Sequence, residues 1–222
     1  MYGVPKRAEV APDPLDLLIA TILSQNTNDN NSYSAFLNLK NRFATWNDML
    51  KVELEEIKDL IKVAGLTNQK ANAIISFLNQ LIEKNGNVSL KFINNMSNNE
   101  ILEFLTIQKG IGIKTASCVL LFALERNVCP VDTHVHRLVN RLGIVNTKNP
   151  VDSFYKLNEN FPKANIAHQF HTNLILHGRN ICRPKNPFCN DCLCINLCKY
   201  EFKNNYSKSK NNSNNFLLLD NV

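Results

Sequence analysis

Residues 105–116 read LTIQKGIGIKTA and place a Gly-x-Gly turn between two stretches that have the apolar spacing of helices. Because Gly110 and Gly112 carry no Cβ, the chain can reverse tightly between those helices. Such a turn points backbone amides and the positive end of the next helix outward, where they can hold an anion. Glycine serves many helix turns for geometry alone, so the turn needs support from its neighbours. The neighbouring polar residues that favour phosphate binding are Lys109, Lys114 and Thr115.

The remainder of the chain has the same helical periodicity. Asp13 and Pro14 open the first helix as an N-cap and a first-turn proline, and Ser97 with Glu100 forms a capping box for a later one. Apolar stripes predict helices at about 14–24, 33–43, 54–64, 74–85, 97–105, 113–125, 134–142, 150–160 and 164–177, the last closed by Gly178. Runs of alternating apolar and polar residues bounded by turn pairs are absent from the sequence. We therefore predict an all-α fold.

The composition of this 222-residue chain is that of a globular protein, with 44% hydrophobic and 20% charged residues. No run of about 18 apolar residues occurs, and the first residues mix proline with charge, so we expect neither a membrane span nor a signal peptide. These features predict a soluble intracellular protein of the cytoplasm or nucleoid, with no membrane partner. The net charge of +6 suits a polyanionic partner without requiring one.

The cysteines concentrate near the C-terminus in the spacing C-x6-C-x2-C-x5-C, formed by Cys182, Cys189, Cys192 and Cys198. Thiolates so close in sequence can converge on one inorganic centre, whereas disulfides are disfavoured inside the cell and the chain has an odd total of seven cysteines. Four sulfurs serve zinc or an iron–sulfur cluster equally. Because zinc ribbons usually show two C-x2-C pairs and this chain has one, we predict a 4Fe-4S cluster, with zinc as the alternative. Cys118 and Cys129 lie apart and are predicted to be packing residues.

Basic side chains accompany these cysteines. The loop and its flanks carry Arg179, Arg183, Lys185 and Lys199 against a single nearby acid, Asp191. A basic loop that is held together by its cysteines could bind phosphate. Each of these side chains could equally belong to a solvated basic rim.

Two residues suggest chemistry as well as binding. Lys114 lies on the first turn after the hairpin, where the positive field of the helix favours a neutral, nucleophilic amine. The alternative is a surface lysine that touches phosphate. Asp132 immediately precedes a predicted helix, so an N-cap is a sufficient role for it. Its functional alternative is a carboxylate that faces Lys114.

The helix that follows Asp132 carries further polar residues. Arg137 and Arg141 stand four positions apart and share one face, where they would meet either the DNA backbone or water. From the local sequence alone we interpret the histidines as structural. They are His134, His136, His168, His171 and His177.

Four motifs in this order resemble the endonuclease III family of helix-hairpin-helix DNA glycosylases. They are residues 110–116 (GIGIKTA), 131–134 (VDTH), 174–179 (LILHGR) and the cysteine spacing. The resemblance spans about residues 13–200 and implies two all-α lobes, with DNA bound across the cleft between them. A six-helix barrel lobe with the hairpin would cover 14–126, and an iron–sulfur cluster lobe would cover 127–202 together with the N-terminal segment 1–13. The polar, Asn-rich segment 203–222 is expected to be a disordered tail.

The resemblance implies a bifunctional DNA glycosylase and AP lyase of base excision repair. Lys114 would be its Schiff-base nucleophile and Asp132 the carboxylate that assists it. The expected substrates are damaged, in particular oxidised, pyrimidines in double-stranded DNA and abasic sites, which a monomer would nick by β-elimination. The alternatives are a glycosylase for uracil or thymine mismatches or for oxidised purines and, in a different class, a non-catalytic module that binds damaged DNA.

The same resemblance nominates a DNA-binding set. Its members are Gln25, Asn26, Lys109, Gly110, Gly112, Thr115, His134, Arg137, Arg183 and Lys185. Gln25 and Asn26 follow the first helix, where the family inserts a polar side chain into the space left by an extruded base. Two departures stand out. The family often has Leu-Pro-Gly where this chain has Gln108-Lys109-Gly110, and Gln25-Asn26 is offset from the more familiar Ser-Ala-Gln, which leaves the inserted residue open.

Overall fold

The computed structural model describes residues 2–203, 218–220 and 222. Over these residues the chain is helical and forms no β-strand, which confirms the predicted all-α fold. The helices are α1 (Pro14–Leu23), α2 (Asp29–Arg42), α3 (Trp46–Met49), α4 (Leu54–Leu60), α5 (Thr67–Asn85), α6 (Asn98–Thr106), α7 (Ile113–Cys118), α8 (Thr133–Arg141), α9 (Pro150–Glu159) and α10 (Ala167–Asn180). In this part of the chain, every helix is too short or too polar to cross a lipid bilayer.

Contacts divide the chain into two compact units. The hairpin unit contains Arg7–Glu125 and the described residues of the C-terminal end, and the cysteine unit contains the described residues of Met1–Lys6 and Arg126–Asn215. The N-terminal segment therefore changes unit after Lys6, where the sequence suggested residue 13. At this boundary Arg7 contacts the hairpin unit, since its guanidinium lies 3.4 Å from the carboxylate of Glu125.

Helix α1 is the most buried helix of the hairpin unit. The Asp13 side chain accepts a hydrogen bond from the Leu15 amide at 2.9 Å, and Pro14 is the first helical residue, as the sequence predicts. All residues of α1 except Asp16 are buried, and the helix contacts α2, α5 and α7. A helix that is apolar on every side needs neighbours on every side. Its C-terminal residue, Leu23, consequently lies in the core rather than in solvent.

Helix α5 begins earlier than the apolar stripe predicts. The stripe starts at Ile74, whereas the helix starts at Thr67. The chain reverses just before it, with positive φ angles of 69° at Gly65 and 50° at Leu66. The additional first turn brings Lys70 into the core, where only 1% of its surface is exposed.

Helix α10 continues to Asn180, so the prediction that Gly178 closes it is wrong. Gly178 lies inside the helix, and a side chain of another helix occupies the space where its Cβ would be. A Cβ at this position would stand 2.8 Å from Nδ1 of His134 on α8. Here glycine permits close packing of α8 against α10 instead of ending a helix.

Other differences are local. Helix α7 changes at Val119–Ala123 into a π-helical turn, within the predicted helix 113–125. The short helix α3 and the 3-10 turn Lys91–Asn95 were not predicted, because neither is long enough to show an apolar stripe. The capping box of Ser97 and Glu100 is present with both of its hydrogen bonds, as predicted.

The cysteine unit is built on the packing of α8 against α10. Hydrogen bonds also join α8 to α9, where Nδ1 of His136 lies 2.6 Å from Oγ of the fully buried Ser153. This contact gives His136 the structural role expected of it. Cys129 of this unit and Cys118 of the hairpin unit are fully buried, as expected of packing residues.

Most of the predicted tail, residues 204–217 and 221, lies outside the described residues. The described part, Leu218–Asp220, forms a 3-10 turn. Leu218 is buried, contacts α1 and α2, and donates its amide hydrogen to Oδ2 of Asp29 at 3.4 Å. The chain therefore returns to the hairpin unit near its C-terminus.

Candidate functional site

The two glycines of the hairpin differ in backbone conformation and in the space beside them. Gly110 has a φ of +90°, and a Cβ there would lie 2.7 Å from the Cβ of Ala73 on α5. Gly112 is the N-cap of α7 with a φ of −91°, and a Cβ there would meet open space. Gly110 therefore fixes the approach of the hairpin to α5, whereas Gly112 leaves the start of α7 uncovered.

Lys114 is the second residue of α7 and is half-buried. Its backbone carbonyl accepts a hydrogen bond from Oγ of Ser117 at 3.0 Å, which fixes the main chain at this position. Among the described residues, none accepts a hydrogen bond from its Nζ or forms an ion pair with it. The amine is therefore available for a ligand.

Gln25 and Asn26 are adjacent in sequence but occupy different environments. The side-chain amide of Gln25 donates hydrogen bonds to the carbonyl of Gly110 at 3.0 Å and to Oγ1 of Thr115 at 3.4 Å. Thr115 is buried, so this contact ties the end of α1 to the hairpin. Asn26 is exposed and has a positive φ of 52°. Of these two candidates, Gln25 is engaged internally and Asn26 faces solvent, as Lys109 does.

The end of α1 depends on a residue that sequence reasoning missed. Nζ of Lys70 donates hydrogen bonds to the carbonyls of Leu23 at 2.7 Å and Ala64 at 2.8 Å. A signal was present in the sequence. Lys70 lies four positions before Ile74, so it continues the apolar stripe of α5 with a charged residue.

Asp132 of the cysteine unit is the N-cap of α8, as the sequence predicts. Its Oδ1 accepts a hydrogen bond from the amide of Val135 at 2.8 Å. The other carboxylate oxygen, Oδ2, accepts no hydrogen bond from the described residues. The residue is half-buried. Capping therefore uses one oxygen and leaves the second for another task.

Arg137 and His134 contact their own unit. The guanidinium of Arg137 donates hydrogen bonds to the carbonyls of Cys182 at 2.9 Å and Gly178 at 3.0 Å, and to Nδ1 of His134 at 3.2 Å. Burial is the main cause that lowers the pKa of His134, so its neutral form, which accepts this hydrogen bond, is favoured. These contacts connect α8 to the cysteine loop and to α10, so both side chains have a structural role.

Arg141 also serves the cysteine loop. Its guanidinium donates hydrogen bonds to Sγ of Cys182 at 3.3 Å and to the carbonyl of Arg183 at 2.9 Å, and it stacks 4.0 Å above the ring of Tyr200. Arg183 stacks on Phe188, and Lys185 is exposed. On this loop, Lys185 is thus the predicted DNA-binding residue most open to solvent.

The four cysteines of the motif line one cavity of about 20 Å³. Burial raises the pKa of the Cys189 thiol, and the nearby sulfurs of Cys182 and Cys198 raise it further. Burial likewise raises the pKa of Cys192 to about 11. Neighbouring thiols in this setting stay protonated unless a cation offsets their negative charge. Because all four thiols line the same cavity, the donor set fits a sulfur-liganded centre.

Among the described residues, no three His, Cys, Asp or Glu side chains are arranged to hold one metal ion. His177 adds a further polar contact, with its Nε2 3.3 Å from Sγ of Cys192. It is buried, in keeping with the structural role expected of it.

Comparisons with known proteins agree on one family. Residues 19–163 match the sequence profile of the HhH-GPD superfamily base excision DNA repair proteins. Endonuclease III of Thermotoga maritima is 35% identical over 85% of this chain and 84% of its own length, and that of Haemophilus influenzae is 37% identical over 86% and 85%. A solved structure of a trapped endonuclease III–DNA covalent intermediate superposes with a TM-score of 0.72 at 29% identity, covering 86% of this chain and 85% of that one. The chain belongs to the HhH-GPD superfamily of base excision DNA repair proteins and is similar to endonuclease III over most of its length.

Proposed function

We propose that this protein is a bifunctional DNA glycosylase and AP lyase that removes damaged pyrimidines from double-stranded DNA. The observation that carries the proposal is Lys114, a lysine with an available amine on the first turn after the hairpin. Members of its family that only remove a base have no need of an amine at that point, whereas strand cleavage through a Schiff base requires one.

The reaction begins with a nucleotide that leaves the base stack, since a side chain cannot reach C1′ inside a duplex. The neutral amine of Lys114 attacks C1′, so a nitrogen–carbon bond forms while the glycosidic bond breaks and the base departs with its electron pair. The nitrogen gives up a proton to the departing base, and the sugar ring opens to a protonated imine as its ring oxygen takes a proton from solvent. Loss of a C2′ proton to solvent then expels the 3′ phosphate, which nicks the strand, and water hydrolyses the imine to release Lys114.

Asp132 supplies negative charge to this reaction. As C1′ loses the base it develops oxocarbenium character, and an ionised carboxylate nearby stabilises that charge. One of its oxygens holds the start of α8, and the other accepts no hydrogen bond from the described residues. This division of work lets the same group cap a helix and act in the reaction.

For the DNA contacts, we assign the phosphate backbone to the turn from Lys109 to Gly112 and the vacated base position to Asn26. Asn26 is supported over Gln25 because the Gln25 amide is already bound to Gly110 and Thr115. Lys185 would contact phosphate from the cysteine loop. Arg137, His134 and Arg183 act on DNA indirectly in this proposal, by holding that loop.

Gly110→Ala tests the hairpin assignment. We expect affinity for an abasic-site duplex to fall by about tenfold or more, since the methyl group would push the turn away from Ala73 and strain of about 1–3 kcal/mol is typical of overpacking. Gly86→Ala is the matched control. Gly86 also has a positive φ, of 71°, but no atom lies near its Cβ position, so stability should drop without a change in affinity. Equal affinities for Gly110→Ala and wild type would contradict the assignment.

We further propose that Cys182, Cys189, Cys192 and Cys198 hold a 4Fe-4S cluster. The shared cavity supports a sulfur-liganded centre because it brings the four cysteines together, and the spacing favours iron over zinc. Bound there, the cluster would cross-link the loop that carries Lys185. Hydrogen bonds from Arg137 and Arg141 also hold this loop against α8.

Cys189→Ser is expected to remove most of the protein's iron and the iron–thiolate absorbance near roughly 400 nm, because a ligand is lost. Cys194→Ser is the control. Cys194 lies between Cys192 and Cys198 but is not one of the four proposed ligands, so its substitution should leave both signals unchanged. If purified wild-type protein contains stoichiometric zinc and no iron, the cluster proposal is contradicted and the site is a zinc site.

The function itself is tested with single-lesion duplexes. Thymine glycol, uracil, a guanine–thymine mismatch and 8-oxoguanine would each be placed in one oligonucleotide, and released base would be measured beside bound DNA. We expect release to be highest for the oxidised pyrimidine, accompanied by a nick. Salt-dependent binding without release of any base would instead identify a damage-binding module.

A further inference from the structure

Lys70 is a buried charge that the proposed chemistry does not use. It lies in the first turn of α5 with 1% of its surface exposed. No carboxylate pairs with it among the described residues, and its amine is held by the carbonyls of Leu23 and Ala64. Burial lowers the pKa of Lys70 to about 8. A lysine in such a place is costly unless its hydrogen bonds do something that an apolar side chain could not do.

The hydrogen bond to Leu23 completes the C-terminal cap of α1. The last carbonyls of a helix have no partner within it and must find one elsewhere. The backbone amide of Ser24 donates a hydrogen bond to the carbonyl of Ala20 at 3.0 Å, and its hydroxyl donates one to the carbonyl of Thr21 at 2.8 Å. The backbone amide of Gln25 donates one to the carbonyl of Ile22 at 3.2 Å. Leu23 is fully buried, so its carbonyl depends on Lys70. The positive amine also meets the negative end of the helix dipole.

This cap lies directly beneath the turn that carries Asn26. From Leu23 the chain needs only Ser24 and Gln25 to reach Asn26. Gln25 braces the turn from the side through its bonds to the hairpin, and Lys70 holds it from within the core. The second bond of Lys70, to Ala64, ties the same point to the 3-10 turn Lys62–Ala64 that precedes α5. Movement of the α1 end would thus break bonds to two other segments.

We propose that Lys70 is a positioning residue that fixes the height at which Asn26 is presented to the duplex. Lys70 does not touch DNA and acts through the end of α1. The inference rests on the proposed function, in which Asn26 enters the space left by an extruded base. Its consequence is that loss of the amine should impair the step in which the nucleotide leaves the stack, and should do so only while Asn26 is present.

A double-mutant cycle tests this coupling. Lys70→Met keeps an unbranched side chain of similar length and deletes the donors. We expect it to slow single-turnover base release from a thymine-glycol duplex by about tenfold, and to slow the Asn26→Ala variant by less than about twofold, because coupled residues are not additive. The fluorescence of 2-aminopurine placed opposite an abasic analogue gives a second readout, and both single variants should reduce its change on binding.

Lys84→Met is the matched control. It makes the same substitution on the same helix, at an exposed position, and should leave the rate unchanged. The proposal is overturned if Lys70→Met slows Asn26→Ala as much as it slows the wild type, or if it slows neither. If Lys70→Met does not fold, Ser24→Ala removes another bond of the same cap and must show the same dependence on Asn26. A wild-type protein that releases no base would refute the proposed function instead, before the cycle begins.

Discussion

Lys114→Ala is expected to abolish the covalent adduct that borohydride traps between this protein and an abasic-site duplex. Borohydride delivers hydride to the carbon of the imine, which turns a reversible Schiff base into a stable amine. Without the Lys114 amine no imine forms at the assigned position. Strand cleavage at the abasic site should fall by on the order of 10³-fold or more, since other groups can bind the sugar but cannot replace the nucleophile.

The adduct is measured as a shifted band on a denaturing gel, after equal times at saturating protein. Lys109→Ala is the informative control, because it removes a lysine of the same hairpin that is exposed and is proposed to bind phosphate. That variant should need more protein to saturate and then give a normal yield. An adduct of Lys114→Ala that forms at the wild-type rate would show that a different amine attacks C1′, and the proposed site would have to move.

The fold was largely predictable from the sequence because its helices are amphipathic or carry explicit end signals. Pro14 after Asp13 and the Ser97 capping box mark helix starts that the structure confirms. The prediction that Gly178 ends α10 is wrong for a physical reason. Glycine at the end of an apolar stripe indicates a helix end, but here it makes room for His134 on another helix, and only the packed structure contains that neighbour.

The site was less predictable, since the sequence gives residue types but not their partners. Arg137 and Arg141 have the spacing of a DNA-facing pair, yet both hydrogen bond to the cysteine loop. Gln25 and Asn26 are equivalent candidates in the sequence, which does not show that Gln25 contacts the hairpin. The burial of Lys70 is not predicted from the sequence, because a charged residue before an apolar stripe is usually solvated. Its burial depends on the reversal at Gly65 and Leu66, a tertiary feature.

Asp132→Asn separates the two roles of this residue. Asparagine caps helices about as well as aspartate, so its side-chain oxygen can still accept the hydrogen bond from the Val135 amide. The negative charge is lost, however, and nothing at that position then offsets the charge that develops at C1′. We expect base release to fall by about 10²-fold or more, while the free energy of unfolding changes by less than about 0.5 kcal/mol.

The distinction lies in which step slows. Stabilisation of the oxocarbenium matters while the glycosidic bond breaks, so single-turnover base release should suffer more than the nicking of an abasic site whose base is already gone. Urea unfolding of the same samples measures the cap. Asp152→Asn removes a charge from the first turn of α9 in the same unit and should leave both rates intact. A full rate of base release by Asp132→Asn, with stability lost only in Asp132→Ala, would reduce Asp132 to a helix cap, and the electrostatic part of the mechanism would then need another carboxylate.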